Sequence, residues 1–197
     1  MSKVVLYMSM SLDGFIAAPG DEAGRGLGIG GEQLHQWLAD GGLSPGSYRP
    51  SSRVNAEIFD EMMETGAVLT GRRTFDLAGQ WGGDHHNGVP IFVITRTPPA
   101  EPAPGHARYV TDLDTAVREA RAAADGRDVM LHGASAAQAL LRAGLIDELV
   151  IHLVPVLLGH GRRLFDDSDA GTQELRLVAT QEGEGVVHLR YRVGTPE

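Results

Sequence analysis

The 197-residue chain contains no cysteine. This excludes a disulfide framework, a thiolate nucleophile and a cysteine-ligated zinc site, and it fits a reducing compartment. Long apolar runs are also missing: no stretch approaches the roughly 18 continuous apolar residues of a membrane-spanning helix. The opening MSKVVLYMSM has one lysine before a short apolar run, without the long apolar centre and small-residue cleavage site of a secretory signal. A cytoplasmic location is therefore expected. Positive charge is scarce, with 17 Lys and Arg against 26 Asp and Glu and a net charge of -9. A nucleic-acid partner would lack the basic face that drives binding to a phosphate backbone. The expected partner is a small-molecule substrate, with neither nucleic acid nor membrane.

What remains is ordinary globular composition, 42% apolar and 22% charged, with no repeat or low-complexity tract. The length predicts a single domain over residues 1–197. Val4 to Met8 reads as a strand, Asp13-Gly14 as a turn and the apolar residues after it as a short strand. The glycine-rich stretch from Pro19 to Gly31 is long for a connection and reads as a functional loop. Helices are expected over Glu32 to Ala39, Val54 to Glu64, Thr74 to Gly79 and Ser135 to Ala143, and after the capping candidates Thr111 and Asp112. The segment GGLSPGSYRPSS between the first two is a loop by composition. Ala67 to Thr70, Pro90 to Thr95, Val129 to His132 and Glu148 to Val154 are continuous apolar strands, suited to a sheet covered on both faces. Leu175 to Thr180 and Val186 to Val193 flank GEG as an antiparallel hairpin. The fold class is α/β: a three-layer sandwich with a mixed central sheet, helices on both faces and a C-terminal antiparallel hairpin.

Two segments share one local design. In AVLTGRRTF and in DVMLHGASAAQALL a buried strand runs into a glycine, and a small or hydroxyl residue follows at a helix start. Free backbone N–H groups there form an anion site suited to phosphate or pyrophosphate, although a glycine between strand and helix is more often only a tight turn. Arg72 and Arg73 follow the first strand, and Arg96, between Thr95 and Thr97, follows PIFVIT. Arginines at neighbouring strand ends suit a phosphate monoester, which favours NADP over NAD; a solvated surface role is the plainer alternative.

The order of these segments resembles the dihydrofolate reductase superfamily, and within it the branch of the riboflavin-biosynthesis reductase, the C-terminal domain of the bifunctional deaminase-reductase. The likeness runs from SLDGFIA through TGRRTF and VITRT to HGASAAQALLRAGLIDELVIHLVPVLLGHGRRLF. The last segment is the most specific, with Leu145-Ile146-Asp147-Glu148, Pro155, Gly159, Gly161 and Leu164-Phe165. The resemblance implies that Gly71, Arg72, Arg73 and Thr74 hold the 2′-phosphate and pyrophosphate of NADPH, and that Thr95 and Arg96 lie beside the adenine ribose. It implies further that Gly133, Ala134, Ser135 and Ala136 cradle the pyrophosphate, with Ile16 and Ala17 lining the nicotinamide pocket. Pro19 to Gly31 would be the loop closing over it. Folate reductases join the first pair of the pyrophosphate loop by a cis Gly-Gly bond; here the pair is Gly-Ala, and its isomer stays open.

The substrate follows less directly. Folate reductases carry an acid early in the first helix, whereas the corresponding region here reads GGEQLHQWL, with Leu34 nearest that position. The expected activity is therefore NADPH-dependent hydride transfer to a carbonyl or imine carbon of a small heterocyclic or sugar-phosphate substrate. The nearest named reaction is reduction of 5-amino-6-(5-phosphoribosylamino)uracil. The alternatives are a folate or pterin reductase with an atypical acid, and a non-catalytic NADP-binding protein. Asp13 and Glu32 are the candidate proton donors, with a turn-forming role as the alternative for Asp13. His85-His86 beside Asp84 is a weak metal candidate, and no metal site is expected. Trp37 and the Met62-Met63 pair read as core, Trp81 as core or cleft, and Asp166, Asp167 and Asp169 as a solvated acidic loop. The family resemblance and the apolar terminal hairpin suggest a possible homodimer.

Overall fold

In β1 (Val4–Ser11) alternate side chains divide between two cores. Val4 and Leu6 join one apolar cluster, Val5 and Tyr7 the other, as the two-residue period of a strand requires when both faces are covered. The computed structural model describes residues 2–39, 48–166 and 172–194. The loop read at residues 41–52 lies largely outside them, as do Asp167 and Asp169. Eight strands form the main sheet, in the order β5-β4-β3-β6-β1-β7-β10-β9. These are β3 (Ala67–Gly71), β4 (Ile91–Ile94), β5 (Ala107–Val110), β6 (Val129–His132), β7 (Glu148–Val154), β9 (Leu175–Gly183) and β10 (Val186–Val193) beside β1. A separate ribbon pairs β2 (Phe15–Ala17) with β8 (Arg162–Arg163).

On one face lie α3 (Leu113–Ala123) and α4 (Ala134–Arg142), whose Ala116, Val117, Ala120, Ala137 and Leu140 close the first cluster. On the other lie a 3-10 helix at Gly31–Leu38, α1 (Arg53–Met63) and α2 (Arg72–Leu77). Leu34, Trp37, Ile58, Met62 and Phe75 close the second cluster. Trp37 and Met62 thus take the core positions expected of them. The stretch expected as an α-helix over 32–39 is 3-10 because Gly31, Leu34 and Trp37 are buried at steps of three, the period of that helix. Helix α2 begins two residues before the expected Thr74, at Arg72. Strands β5 and β8 were not anticipated: the first is a half-exposed sheet edge, the second only two residues long.

Strands β5, β4, β3, β6, β1 and β7 run parallel to one another, and β10, antiparallel to both β7 and β9, is the one reversed strand of the main sheet. The C-terminal ends of β3, β4 and β6 therefore share one edge of the sheet, where ligands of open α/β sheets bind. Among the described residues no helix is long and apolar enough to cross a membrane.

Candidate functional site

The two strand-glycine-helix turns meet at that edge. Thr70 pairs with His132 across β3 and β6, so Gly71 and Gly133 leave the sheet side by side. A Cβ on Gly71 would stand 3.5 Å from the Ala136 side chain, and one on Gly133 would collide with the Thr74 hydroxyl. Each turn thus packs on the first residues of the other's helix. Gly133 has φ of 91°, a region that disfavours a side chain, and no cis peptide bond occurs among the described residues. The Gly133-Ala134 bond is therefore trans.

Capping separates these two helices from the others. Ser52 caps α1 and Asp112 caps α3, each accepting from a backbone N–H of the first turn. Neither α2 nor α4 has a side-chain cap. At α4, a nine-residue helix, the first-turn N–H groups of Ala134, Ser135 and Ala136 lack that competitor. A ligand anion can use them, helped by the positive end of the helix dipole.

Charge is supplied from the neighbouring strand ends. Arg72 donates from Nε to Asp76 at 2.9 Å and from Nη1 to the Thr97 carbonyl at 3.3 Å, and its guanidinium lies 5.8 Å from the Tyr109 ring centroid. Arg73 reaches into the glycine-rich loop and bonds both the carboxylate and the carbonyl of Asp21, with a closest charge separation of 2.8 Å. Thr95 donates its hydroxyl to the Thr97 carbonyl at 3.1 Å, and Arg96 beside it is exposed. The glycine-rich loop folds back on itself through Ala18 N–H to Leu27 O and Ile29 N–H to Pro19 O. It leans on α2 at Asp21 and at Gly26, where a Cβ would stand 2.8 Å from the Leu77 carbonyl.

Ile16 and Ala17 are buried in β2, and Ile16 shares the apolar cluster that holds Ala134 and Ala136. Asp13 and Glu32 are not brought together with them as a reactive pair. Glu32 is exposed in the first turn of the 3-10 helix. The Asp13 carboxylate accepts from the Ser11 hydroxyl at 2.6 Å, Gly159 N–H at 2.7 Å and Leu158 N–H at 3.2 Å. The Ser11 hydrogen bond is the largest influence holding its pKa below the usual value; desolvation opposes it, and the two backbone donors add to the lowering. Asp13 thereby clamps the SLDG turn to the loop after β7.

The second face holds groups that local spacing did not reveal. Early in α1, the first regular α-helix, Asn55 is turned inward and is 2% exposed. Asn55 donates to the carbonyls of Trp37 and Glu184 and faces His188 Nε2 at 3.2 Å. His188 Nδ1 lies 2.9 Å from His152 Nδ1. On β6, His132 Nδ1 bonds the Tyr7 carbonyl at 3.0 Å, and its ring stacks on His85 at 5.2 Å. Burial pushes His132 and His35 down to about 4. Trp81 packs edge-on against His85 and Phe75. His85 and His86 contact each other through Nδ1 atoms at 2.8 Å. Among the described residues no group of three or more His, Asp or Glu is placed to hold a metal.

The sheet order, the paired turns on one edge and the terminal hairpin define a dihydrofolate reductase-like α/β fold. The chain belongs to the RibD C-terminal domain family, whose model matches residues 2–189. A Shewanella sp. PV-4 protein assigned to riboflavin biosynthesis is similar in structure, with a TM-score of 0.70, 20% identity, and 98% and 99% of the two chains covered. Acinetobacter baumannii RibD aligns at a TM-score of 0.64 and 19% identity over 99% of this chain and 59% of that one. The Thermotoga maritima diaminohydroxyphosphoribosylaminopyrimidine deaminase/5-amino-6-(5-phosphoribosylamino)uracil reductase aligns at 0.61 and 15%, over 98% of this chain and 57% of that one. The chain thus spans under two thirds of the latter two proteins. No curated protein matches it.

Proposed function

We propose that the protein is an NADPH-dependent reductase acting on a carbonyl or imine carbon of a small heterocyclic or sugar-phosphate substrate. The observation that carries this reading is the shared edge where Gly71, Thr74 and Gly133 interlock beneath an α4 N-terminus without a side-chain cap, flanked by Arg72, Arg73 and Arg96. The residues fit the cofactor. Gly133 through Ala136 would take the pyrophosphate on backbone N–H groups, Arg72, Arg73 and Arg96 the 2′-phosphate, and Ile16 and Ala17 the nicotinamide. The cofactor, when bound, supplies hydride. The chain supplies orientation at the strand ends, and exclusion of water by residues 19–30, which already rest on α2 through Asp21 and Gly26.

The nearest activity is reduction of 5-amino-6-(5-phosphoribosylamino)uracil, the reaction in the name of the T. maritima relative. Asn55, in place of an acid early in α1, weighs against a folate or pterin substrate. Binding of NADPH and NADH, measured by nucleotide fluorescence, tests the cofactor assignment. NADPH should bind the more tightly, and Arg72→Ala with Arg73→Ala should remove most of that preference. Equal binding of the two nucleotides would refute it. Turnover of dihydrofolate in place of the uracil substrate would refute the substrate assignment, and tight NADPH binding without reduction of any carbonyl acceptor would favour a non-catalytic role.

A further inference from the structure

Two half-buried rings meet where β6 ends: Trp81 and His132, 6.1 Å apart between centroids. The hydrogen bonds determine where the histidine proton sits. His132 Nδ1 lies 3.0 Å from the Tyr7 carbonyl, which can only accept, so Nδ1 carries the proton. Its recessed position holds the ring neutral, with a pKa of about 4, and Nε2 is therefore a bare acceptor. The Trp81 indole N–H can only donate. Neither nitrogen has a partner among the described residues, and the buried polar side-chain atoms left in that state there are Arg121 Nε and His152 Nε2 instead. Trp81 Nε1 and His132 Nε2 are thus reached from solvent, an open donor beside an open acceptor.

The backbone at Trp81 is bent to place it there. Gly79–Gly83 is a left-handed turn in which Gln80 has φ of 56° and Trp81 of 47°, a region that a bulky side chain rarely enters. Such strain persists where the surroundings impose it, and it gathers at ligand sites. Here the turn leaves the C-terminal end of α2 and is pinned at Gly83, whose carbonyl accepts His106 N–H at 2.9 Å. The indole rests edge-on against the fully buried Phe75 and against His85, whose ring stacks on His132 at 5.2 Å. His132 immediately precedes Gly133, and β1, paired with β6 only as far as Leu6, runs on to Ser11. The two rings therefore sit at a step in the sheet edge, next to the proposed cofactor turn.

An amide group satisfies both nitrogens, its carbonyl accepting the indole N–H and its own N–H donating to the imidazole, whereas a carboxylate or phosphate would meet a bare lone pair at His132. We infer that Trp81 and His132 form a donor-acceptor pair that recognises one amide group, either the carboxamide of the proposed cofactor or an amide of the substrate. The inference rests on the reductase reading for the identity of the ligand, and it gives that site two recognition residues outside the glycine turns.

Imidazole nitrogen NMR on the unaltered protein tests it. The free protein should show His132 protonated on Nδ1. Two pairs of probes separate the sources of the amide. One is NADP against its 3-acetylpyridine analogue, which keeps the carbonyl and lacks the N–H; the other is 2-pyridone against N-methyl-2-pyridone, added with and without NADP. In at least one pair the N–H member should move the His132 Nε2 resonance and the other member leave it in place, which names the cofactor or the substrate as the source. Trp81→Phe keeps a ring and removes the donor, and should weaken that probe roughly fivefold while 2′,5′-ADP, which has no amide, binds as before. A proton found on Nε2 in the free protein overturns the inference. So does a Nε2 resonance that no probe moves, or that both members of each pair move equally, or unchanged probe binding in Trp81→Phe. Failure of the reductase reading would look different: the unaltered protein would bind neither NADP nor 2′,5′-ADP, and the pyridone pair without NADP would still decide the inference.

Discussion

Gly133 and Thr74 occupy each other's space: a Cβ on the glycine would overlap the threonine hydroxyl. Two strands thereby fix the distance between their turns by contact, without a hydrogen bond. Gly133→Ala should destabilise the protein by about 1–3 kcal/mol, from the collision and from the φ of 91°. Adding Thr74→Ala should recover part of that loss in urea unfolding. Full recovery would show that the backbone angle contributes nothing.

Asp21 and the proposed cofactor phosphate compete for Arg73. The pair is largely solvent-facing at the arginine, with 52% of that side chain exposed, so breaking it should change stability by less than about 1 kcal/mol. Asp21→Asn should therefore tighten NADPH several-fold at low salt while leaving NADH unchanged. Parallel titrations at low and high ionic strength check this, because added salt should shrink the effect. An equal change for both nucleotides would mean that Arg73 does not meet the phosphate.

Stability should depend on pH through neutral imidazoles. Burial pushes His35, His132 and His188 each down to about 4 from an ordinary value of 6.5. Between these values the unfolded chain binds more protons than the folded one, so stability rises with pH across the window. It is fully present above pH 6.5, is lost progressively on acidification, and stops falling through these groups below about pH 4. A Tm lower by more than about 5 °C at pH 5 than at pH 7, by calorimetry, is the expected result. An unchanged Tm would place these rings in contact with water.

Asp13 separates positioning from acid catalysis. Its carboxylate is committed to Ser11, Leu158 and Gly159 and is held below its usual pKa, first by the Ser11 hydroxyl. Asp13→Asn should raise KM and lower Tm by loosening the loop after β7. The acidic limb of the pH-rate profile should stay in place, whereas losing that limb together with kcat would make Asp13 the proton donor.

Buried Glu148 holds Lys3 and Arg190 at 2.9 Å each, and Arg190 also bonds Glu61. Burial alone would raise its pKa, but the hydrogen bonds from Lys3 and Arg190 outweigh that and lower it. Glu148→Ala leaves a half-buried guanidinium short of one partner and should cost about 3 kcal/mol in denaturant unfolding. Glu148→Gln should cost less, since it keeps a hydrogen-bond acceptor.

The features legible in the sequence were those made by neighbours in the chain. Gly71 and Gly133 stand out because a strand exit needs a small residue locally, and continuous apolar runs mark β3, β6 and β7 as covered on both faces. What escaped depends on distant pairing. The 3-10 form of the Gly31–Leu38 helix is not legible because eight residues cannot distinguish a period of three from one of 3.6. Arg73 and Asp21 are 52 positions apart, and His152 and His188 are 36 apart. Neither pair leaves a local pattern. The edge strand β5, half-exposed, lacks the apolar run that marked its neighbours.

Asn55 joins three stretches of chain: the 3-10 helix at Trp37, the hairpin turn at Glu184 and strand β10 at His188. The last hairpin therefore lines a cleft with Trp37 and Asn55 as well as forming the edge of the sheet. Changes in the GEG turn should be felt as altered substrate preference, while the turns at Gly71 and Gly133, three or more strands away across the sheet, keep their grip on a nucleotide. The two halves of the reaction would then be free to vary separately, one cofactor serving many acceptors on the same scaffold.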